Sequence, residues 1–343
     1  MRRDDPQTVF SIAEDMTTDL DLFCACDSVL TERPSHSETW PVPDACPENT
    51  GDLYLRCDAG NPGRVFASIE ALPGRHAFVV RDCDNVTICG LCIRYWGAHG
   101  ISAGGKCVKG LHVLRCEIGW IGGTIQHYFG TDPNYPEGTR GTVTRYGNGI
   151  EIYGGCEDYE CADNYIYEVY DAGVTHQFTV TDGEPCRMEK VRYTGNYIEN
   201  CTYSIEYFLS GTEGTAGLMK GIFIGGNILS MAGYGWGRKR HNTWTPAHIK
   251  SWNVDNPADD FRIENNVFFF SKYRLLHLCC RKAESRPLTD GNRYFQTYGR
   301  SLGQFGAYEN GMPPILSFFE TSEDDVLNSV GDQHAEIYYL KED

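Results

Sequence analysis

No apolar run in this 343-residue sequence approaches the length that spans a bilayer. Its first residues, MRRDDPQTVFSIAEDM, lack the apolar centre of a secretory signal. The expected location is therefore the cytoplasm, with secretion as the alternative if the natural N-terminus is truncated here. Basic charge is also scarce: 30 Lys and Arg face 47 Asp and Glu, a formal net charge of −17. Nucleic acid and anionic membranes, which need a basic footprint, are not expected partners. Helical periodicity is absent, which excludes the helical solenoids. Cys89 and Cys92 form a CxxC without a second pair at zinc-finger spacing, so no zinc site is expected. The 15 cysteines are odd in number and spread over a long chain, unlike the paired framework of a small disulfide-rich domain. Cys83 and Cys107, Cys92 and Cys116, and Cys161 and Cys186 recur at coil spacing and read as small buried hydrophobes.

What the chain does have is a repeat. Between Val86 and His277 a short apolar strand, a Gly-rich corner and another strand recur six times. In register, the sixth place reads Leu91, Cys116, Asn164, Asn196, Asn227 and Asn266; the eighth reads Ile93, Ile118, Ile166, Ile198, Leu229 and Phe268. The second series is an unbroken apolar stack. In the first, each Asn can bond to the Asn of the next coil and satisfy corner backbone groups. No single unit can bury its apolar face alone, so the coils must stack into one continuous core. Strands rich in Val, Ile, Tyr and Phe with Asn and Gly between them predict an all-β parallel β-helix.

The coil pattern from Asp52 to Tyr298 resembles the right-handed parallel β-helix superfamily typified by pectate lyases. That resemblance implies a right-handed solenoid with long loop insertions. The expected organisation is an irregular N-terminal segment over 1–50, the β-helix over 51–300, and a C-terminal extension over 301–343 packing on the helix.

The strands after the Gly corners read AHGISAG, GNGIEIYG, DAGVTHQF and YSIEYFLS. Ile101, Ile150, Val174 and Ile205 point inward; by alternation Ser102, Glu151, Thr175 and Glu206 point outward. Coils about 4.8 Å apart put the Glu151 and Glu206 backbones on the order of 10 Å from one another. Side-chain tilt brings their carboxyl groups within the roughly 6.5–9.5 Å of an inverting glycosidase. Asp171, at the corner of the intervening coil, offers with Glu151 the roughly 5 Å spacing of a retaining one. Both pairs remain open at this point. Ile, Tyr and Phe around the two Glu residues make the apolar setting that raises an acid's pKa.

Two loops interrupt the repeat. IGGTIQHYFGTDPNYPEGTRGTVTRYG leads into Glu151; its aromatic residues can stack on a sugar ring and Gln126 can bond hydroxyls. GRKRHNTWTPAHIKSWNVDNPADD concentrates Arg238, Lys239, Arg240, His248 and Lys250, a patch suited to a carboxylate or sulfate group. Trp236 and Trp252 are candidate stacking platforms.

AHGISAGG also resembles the Gly-His-Gly segment of polygalacturonases, with His99 in the matching place. The paired-Asp segment of that family is missing from DCDNVTICG, so its active site is not carried over and His99 reads as a corner residue. The series YGNGIE, YDAGVTHQ, YSIEY and GYGWG is similar to that of poorly characterised bacterial β-helix proteins taken to act on carbohydrates. The resulting expectation is a glycoside hydrolase acting on a poly- or oligosaccharide without a cofactor. Glu206 or Asp171 serves as acid and Glu151 as base or nucleophile, with Gln126, Gln177, Trp236, Arg240 and His248 positioning the sugar. The alternatives are a lyase of uronic acid polymers and a non-catalytic sugar-binding solenoid. The pectate-lyase resemblance implies Ca²⁺ for the lyase, held by Glu151, Asp171 and Glu206, with Lys250, Arg240, His176 or His248 taking the proton.

Overall fold

A computed structural model describes residues 22–24, 53–55, 60–65, 67, 74–128, 143–181, 183–211, 217–239, 245–252, 256–280, 282–306, 316–318 and 331–341. The chain divides into two compact units. The first comprises Met1–Leu72, Thr124–Tyr146 and Lys239–Asn242; the second comprises Pro73–Gly123, Gly147–Arg238 and Thr243–Asp343. In the first, Leu22–Cys24 pairs antiparallel with Leu53–Leu55, and Thr124–Tyr128 pairs antiparallel with Val143–Tyr146. The insertion before Glu151 is thus carried by a hairpin.

The second unit is an all-β, parallel, solenoid-like fold. Among the described residues its strands form a 15-stranded sheet and an 8-stranded sheet. Within the larger sheet the strand Ile150–Ala162 serves two stacks. Its start pairs with Ile101–Lys109 and Ala172–Thr179, its end with His112–Leu114 and Cys186–Thr194. Each coil therefore passes through three parallel stacks. Among the described residues the solenoid begins with Phe78–Arg81, and the coils continue past residue 300: Gly303–Phe305 pairs with Arg274–Leu278, and Glu336–Leu340 with Arg293–Thr297.

The core is the set of inward rungs. In the smaller sheet Ile93, Ile118, Ile166, Ile198, Leu229 and Phe268 are register partners in succession and all buried. In the first stack Ile101, Ile150, Val174, Ile205, Ile249 and Leu276 do the same. His176 also turns inward: its ring stacks on Tyr207 at 5.5 Å and its Nδ1 lies 2.8 Å from the Tyr193 hydroxyl. Burial pushes its pKa down to about 3, so it is a neutral core residue.

The corner before the smaller sheet shows why Asn recurs. Asp163, Gly195, Gly226, Asn265 and Gly291, each directly before a ladder residue, have φ between 55° and 65°, the left-handed region open to Gly, Asn and Asp. That turn takes the next side chain out of the ladder and along the stack. Asn164 Nδ2 donates to Asn196 Oδ1 at 2.9 Å, Asn196 to Asn227 at 3.0 Å, and Asn227 to Asn266 at 2.9 Å. The ladder continues beyond the six repeats to Asn292 and ends on Asp332, whose Oδ2 also accepts the Tyr294 hydroxyl.

The cysteines follow the rungs rather than the spacing. Cys92 pairs with Glu117, not Cys116, and is exposed on the outward side; Cys83 and Cys107 are exposed as well. Cys161 pairs with Val113 and Tyr193 inside the core.

Candidate functional site

The first stack carries one outward row. Ser102 pairs with Glu151; Thr175 pairs with Glu206; Glu206 pairs with Lys250, Lys250 with His277, and His277 with Gln304. Because Ile150 pairs with Val174, Thr175 stands on the rung between the two glutamates. The sequence predicts this placement for Ser102, Glu151, Thr175 and Glu206. It does not predict their surroundings: Glu151 is 7% exposed, Glu206 4%, Thr175 0% and Lys250 1%. From Glu151 to Gln304 the outward row of the solenoid is a buried polar row.

Glu151 is held as an acceptor. Its Oε2 takes the side-chain amides of Asn148 and, at 3.1 Å, Gln177. Asn148 is fixed in turn by the corner Gly147–Asn148–Gly149. Its Oδ1 accepts the Ala172 N–H at 2.9 Å, its carbonyl accepts the Gly100 N–H at 3.0 Å, and its N–H donates to His99 Nδ1 at 2.9 Å. Gly147, with φ of 136°, is needed because a Cβ there would lie 2.2 Å from Gly122 Cα. His99 Nδ1 also lies 3.5 Å from Glu151 Oε2. This contact is not an ion pair: Nδ1 is already an acceptor for Asn148, and burial drives the His99 pKa down to about 3. His99 stacks on His76 at 4.9 Å and is a corner residue.

Glu206 differs. Burial raises its pKa to about 7, and the neighbouring Glu151 adds to the rise; the Trp252 indole N–H, donating to Oε1 at 2.5 Å, and Lys250 oppose it. Trp252 also presents its ring face to Lys250 Nζ, 3.7 Å from the centroid. Burial lowers the Lys250 pKa to about 8. Lys250 Nζ lies 3.0 Å from His277 Nδ1 and 3.4 Å from Cys279 Sγ.

The hydrogen-bond directions around His277 fix more. Gln304 Nε2 donates to the Gly306 carbonyl at 2.7 Å, which identifies it as the nitrogen, and lies 2.9 Å from His277 Nε2. Nε2 of the ring therefore accepts from Gln304, and a neutral imidazole then carries its proton on Nδ1. Burial and the Lys250 and Arg274 charges hold His277 well below its usual pKa, so the ring is neutral. Nζ of Lys250 lies 3.0 Å from Nδ1 and 3.4 Å from Nε2, close to both ring nitrogens and off the line of either ring N–H.

The other candidates take different places, and Arg240 lies outside the described residues. Asp171 is buried at the corner, its carbonyl accepting the Tyr203 N–H at 3.0 Å, one residue ahead of the strand that carries Thr175. Gln177 joins the row through Glu151. Trp236 is buried away from the row, donating its indole N–H to the Glu168 carbonyl at 2.7 Å and meeting Tyr170 edge-on at 5.1 Å. His248 is buried against Ser204 and Phe268, and burial drives its pKa down to about 3. Gln126 belongs to the strand Thr124–Tyr128 of the first unit, its side chain outside the described residues; Arg240 lies outside them altogether.

Sequence reasoning missed Asn148, His277, Cys279 and Gln304. Asn148 was within sight in YGNGIE, where an Asn between two glycines marks a corner whose side chain is free to reach neighbouring coils. Extending the outward row two coils beyond Glu206 would have reached Lys250 and His277.

No family model, characterised protein sequence or solved structure matches this chain. Among the described residues no helix is long and apolar enough to cross a membrane.

Proposed function

We propose that this protein is a glycoside hydrolase built on a right-handed parallel β-helix of the pectate-lyase-like superfamily, acting on a poly- or oligosaccharide. The successive parallel stacks support the fold, and right-handed crossovers are the rule for such connections. The observation that carries the function is the row Glu151–Thr175–Glu206: two buried carboxylates two rungs apart in unlike surroundings. Pairs of titratable groups whose environments differ in this way divide the roles of acid and base.

Glu206, protonated up to about pH 7, donates to the leaving oxygen. Glu151, an acceptor for two amides, takes the proton of a water beside it. Thr175 Oγ1 is buried with no hydrogen-bond partner among the described residues and stands between them, where it can hold that water. A two-rung backbone separation of roughly 10 Å favours inversion over retention.

The test is a screen on neutral and acidic oligosaccharides, followed by Glu206→Gln and Glu151→Gln. The acid variant is expected to lose turnover on ordinary glycosides yet retain it on aryl glycosides whose leaving group needs no proton. The base variant is expected to lose both. Full activity in either variant on ordinary glycosides would sink the assignment.

A second reading has one specific support. A buried amine such as Lys250, with its pKa near 8, is a competent base for β-elimination on a uronic acid polymer. Among the described residues no group of three or more His, Cys, Asp or Glu is arranged to hold a metal, so no step is routed through calcium. An unsaturated product absorbing in the ultraviolet identifies the lyase; a new reducing end on a saturated product identifies the hydrolase.

A further inference from the structure

The buried row ends in chemistry that the hydrolase reading does not use. Lys250 Nζ and Cys279 Sγ lie 3.4 Å apart, on neighbouring coils, and both residues are buried. The amine is walled by the Trp252 ring at 3.7 Å and oriented by His277 Nδ1 at 3.0 Å. Cys279 itself is anchored: its backbone N–H donates to Ser251 Oγ at 2.8 Å, one residue after Lys250. Burial lowers the Lys250 pKa to about 8, so a fraction of Nζ is the neutral, nucleophilic form of lysine near neutral pH. A sulfenic acid condenses with a thiol or with a nitrogen, and Nζ is a nitrogen lying 3.4 Å from Cys279 Sγ.

We propose that Lys250 and Cys279 form an oxidative cross-link, a sulfenamide bond between Nζ and Sγ, when the protein meets a peroxide. One equivalent of hydrogen peroxide converts the Cys279 thiol to the sulfenic acid, releasing water. Nζ then attacks Sγ, the S–O bond breaks, and the hydroxyl leaves as a second water with a proton from nitrogen. The product has one N–S bond and two hydrogens fewer than the reduced protein; sulfur supplies both electrons to the peroxide. A small neutral oxidant suits a site that excludes larger ones, and a thiol reductant such as dithiothreitol reverses the bond by attacking sulfur.

The bond concerns turnover only through the proposed function, since a linked Lys250 is drawn away from Trp252 and Glu206. The cross-link itself is read by mass, whatever the protein catalyses. The full chain is treated with hydrogen peroxide, digested, and searched for the Lys250 peptide joined to the Cys279 peptide with the loss of two hydrogens. The joined peptide is expected in the unaltered protein, absent in Cys279→Ser and Lys250→Arg, and lost on reduction. Thermal melting of both variants checks that they fold; if one does not, the unaltered protein's own joined peptide and its reversal still decide the matter. Cys279 recovered as a thiol, as sulfinic acid or in a disulfide, with Lys250 unlinked, would overturn the proposal. So would a joined peptide that retains an oxygen. If the link forms and reverses while no glycoside is cleaved, the hydrolase reading fails and the cross-link stands.

Discussion

Glu206 and Lys250 are register partners on adjacent parallel strands, and burial moves both toward their neutral forms, the acid up to about 7 and the amine down to about 8. Trp252 serves both, donating to the acid and covering the amine. A charged pair at this depth would carry a desolvation penalty of several kcal/mol per ion, which the neutral forms avoid.

The first prediction is the resulting pH dependence. Glu206 binds its proton more tightly folded than unfolded, so its contribution to stability is full below about pH 4.5 and is lost as pH rises through about 7. Lys250 runs the other way: its contribution is full above about pH 10.5 and is lost as pH falls through about 8. Glu206→Gln should flatten the fall in melting temperature between pH 4.5 and 7, worth on the order of 3 kcal/mol. Lys250→Met should be more stable than the parent below pH 8. Unchanged pH profiles in both variants would contradict the buried pair.

Asn148 is expected to matter to activity as much as to stability. In Asn148→Asp the donor to Glu151 becomes a second carboxylate facing it, which should cost roughly 2–4 kcal/mol and lower turnover by about a hundredfold. Gln177→Ala removes only one of the two amides on Glu151 and should reduce turnover by roughly tenfold with little change in folding. Paired urea titrations and steady-state kinetics separate the two effects.

The ladder at the opposite corner makes a purely structural prediction. Asn227 donates to Asn266 and to the Tyr193 carbonyl and accepts from Asn196, all in the interior. Asn227→Ala should therefore destabilise by about 2–4 kcal/mol, measured by urea unfolding, through buried groups left without partners. A cost below about 1 kcal/mol would mean that water replaces the ladder.

Gly147→Ala tests the corner that aims Asn148. Its Cβ would collide with Gly122 Cα, and the positive φ disfavours any side chain, so two backbone segments must separate. The expected outcome is a loss of several kcal/mol, seen as a lowered melting temperature, with activity falling in step.

The sequence by itself determined the periodic part of this protein. A coil cannot bury its apolar face alone, so the spacing of Ile93, Ile118, Ile166 and Ile198 forces stacking, and strand alternation then assigns Glu151 and Glu206 to one row. Asn164, Asn196, Asn227 and Asn266 were legible as a ladder because a corner side chain can satisfy backbone groups only along the stack. What only the tertiary structure decided is the environment of the row. Alternation says which way a side chain points, not what covers it, so the burial of Glu206 and Lys250, and with it their ionisation, has no signal in the repeat. His277, Cys279 and Gln304 gained their meaning only from distances across coils, because hydrogen-bond direction depends on which atoms meet, and residues far apart in the chain meet only once it has folded.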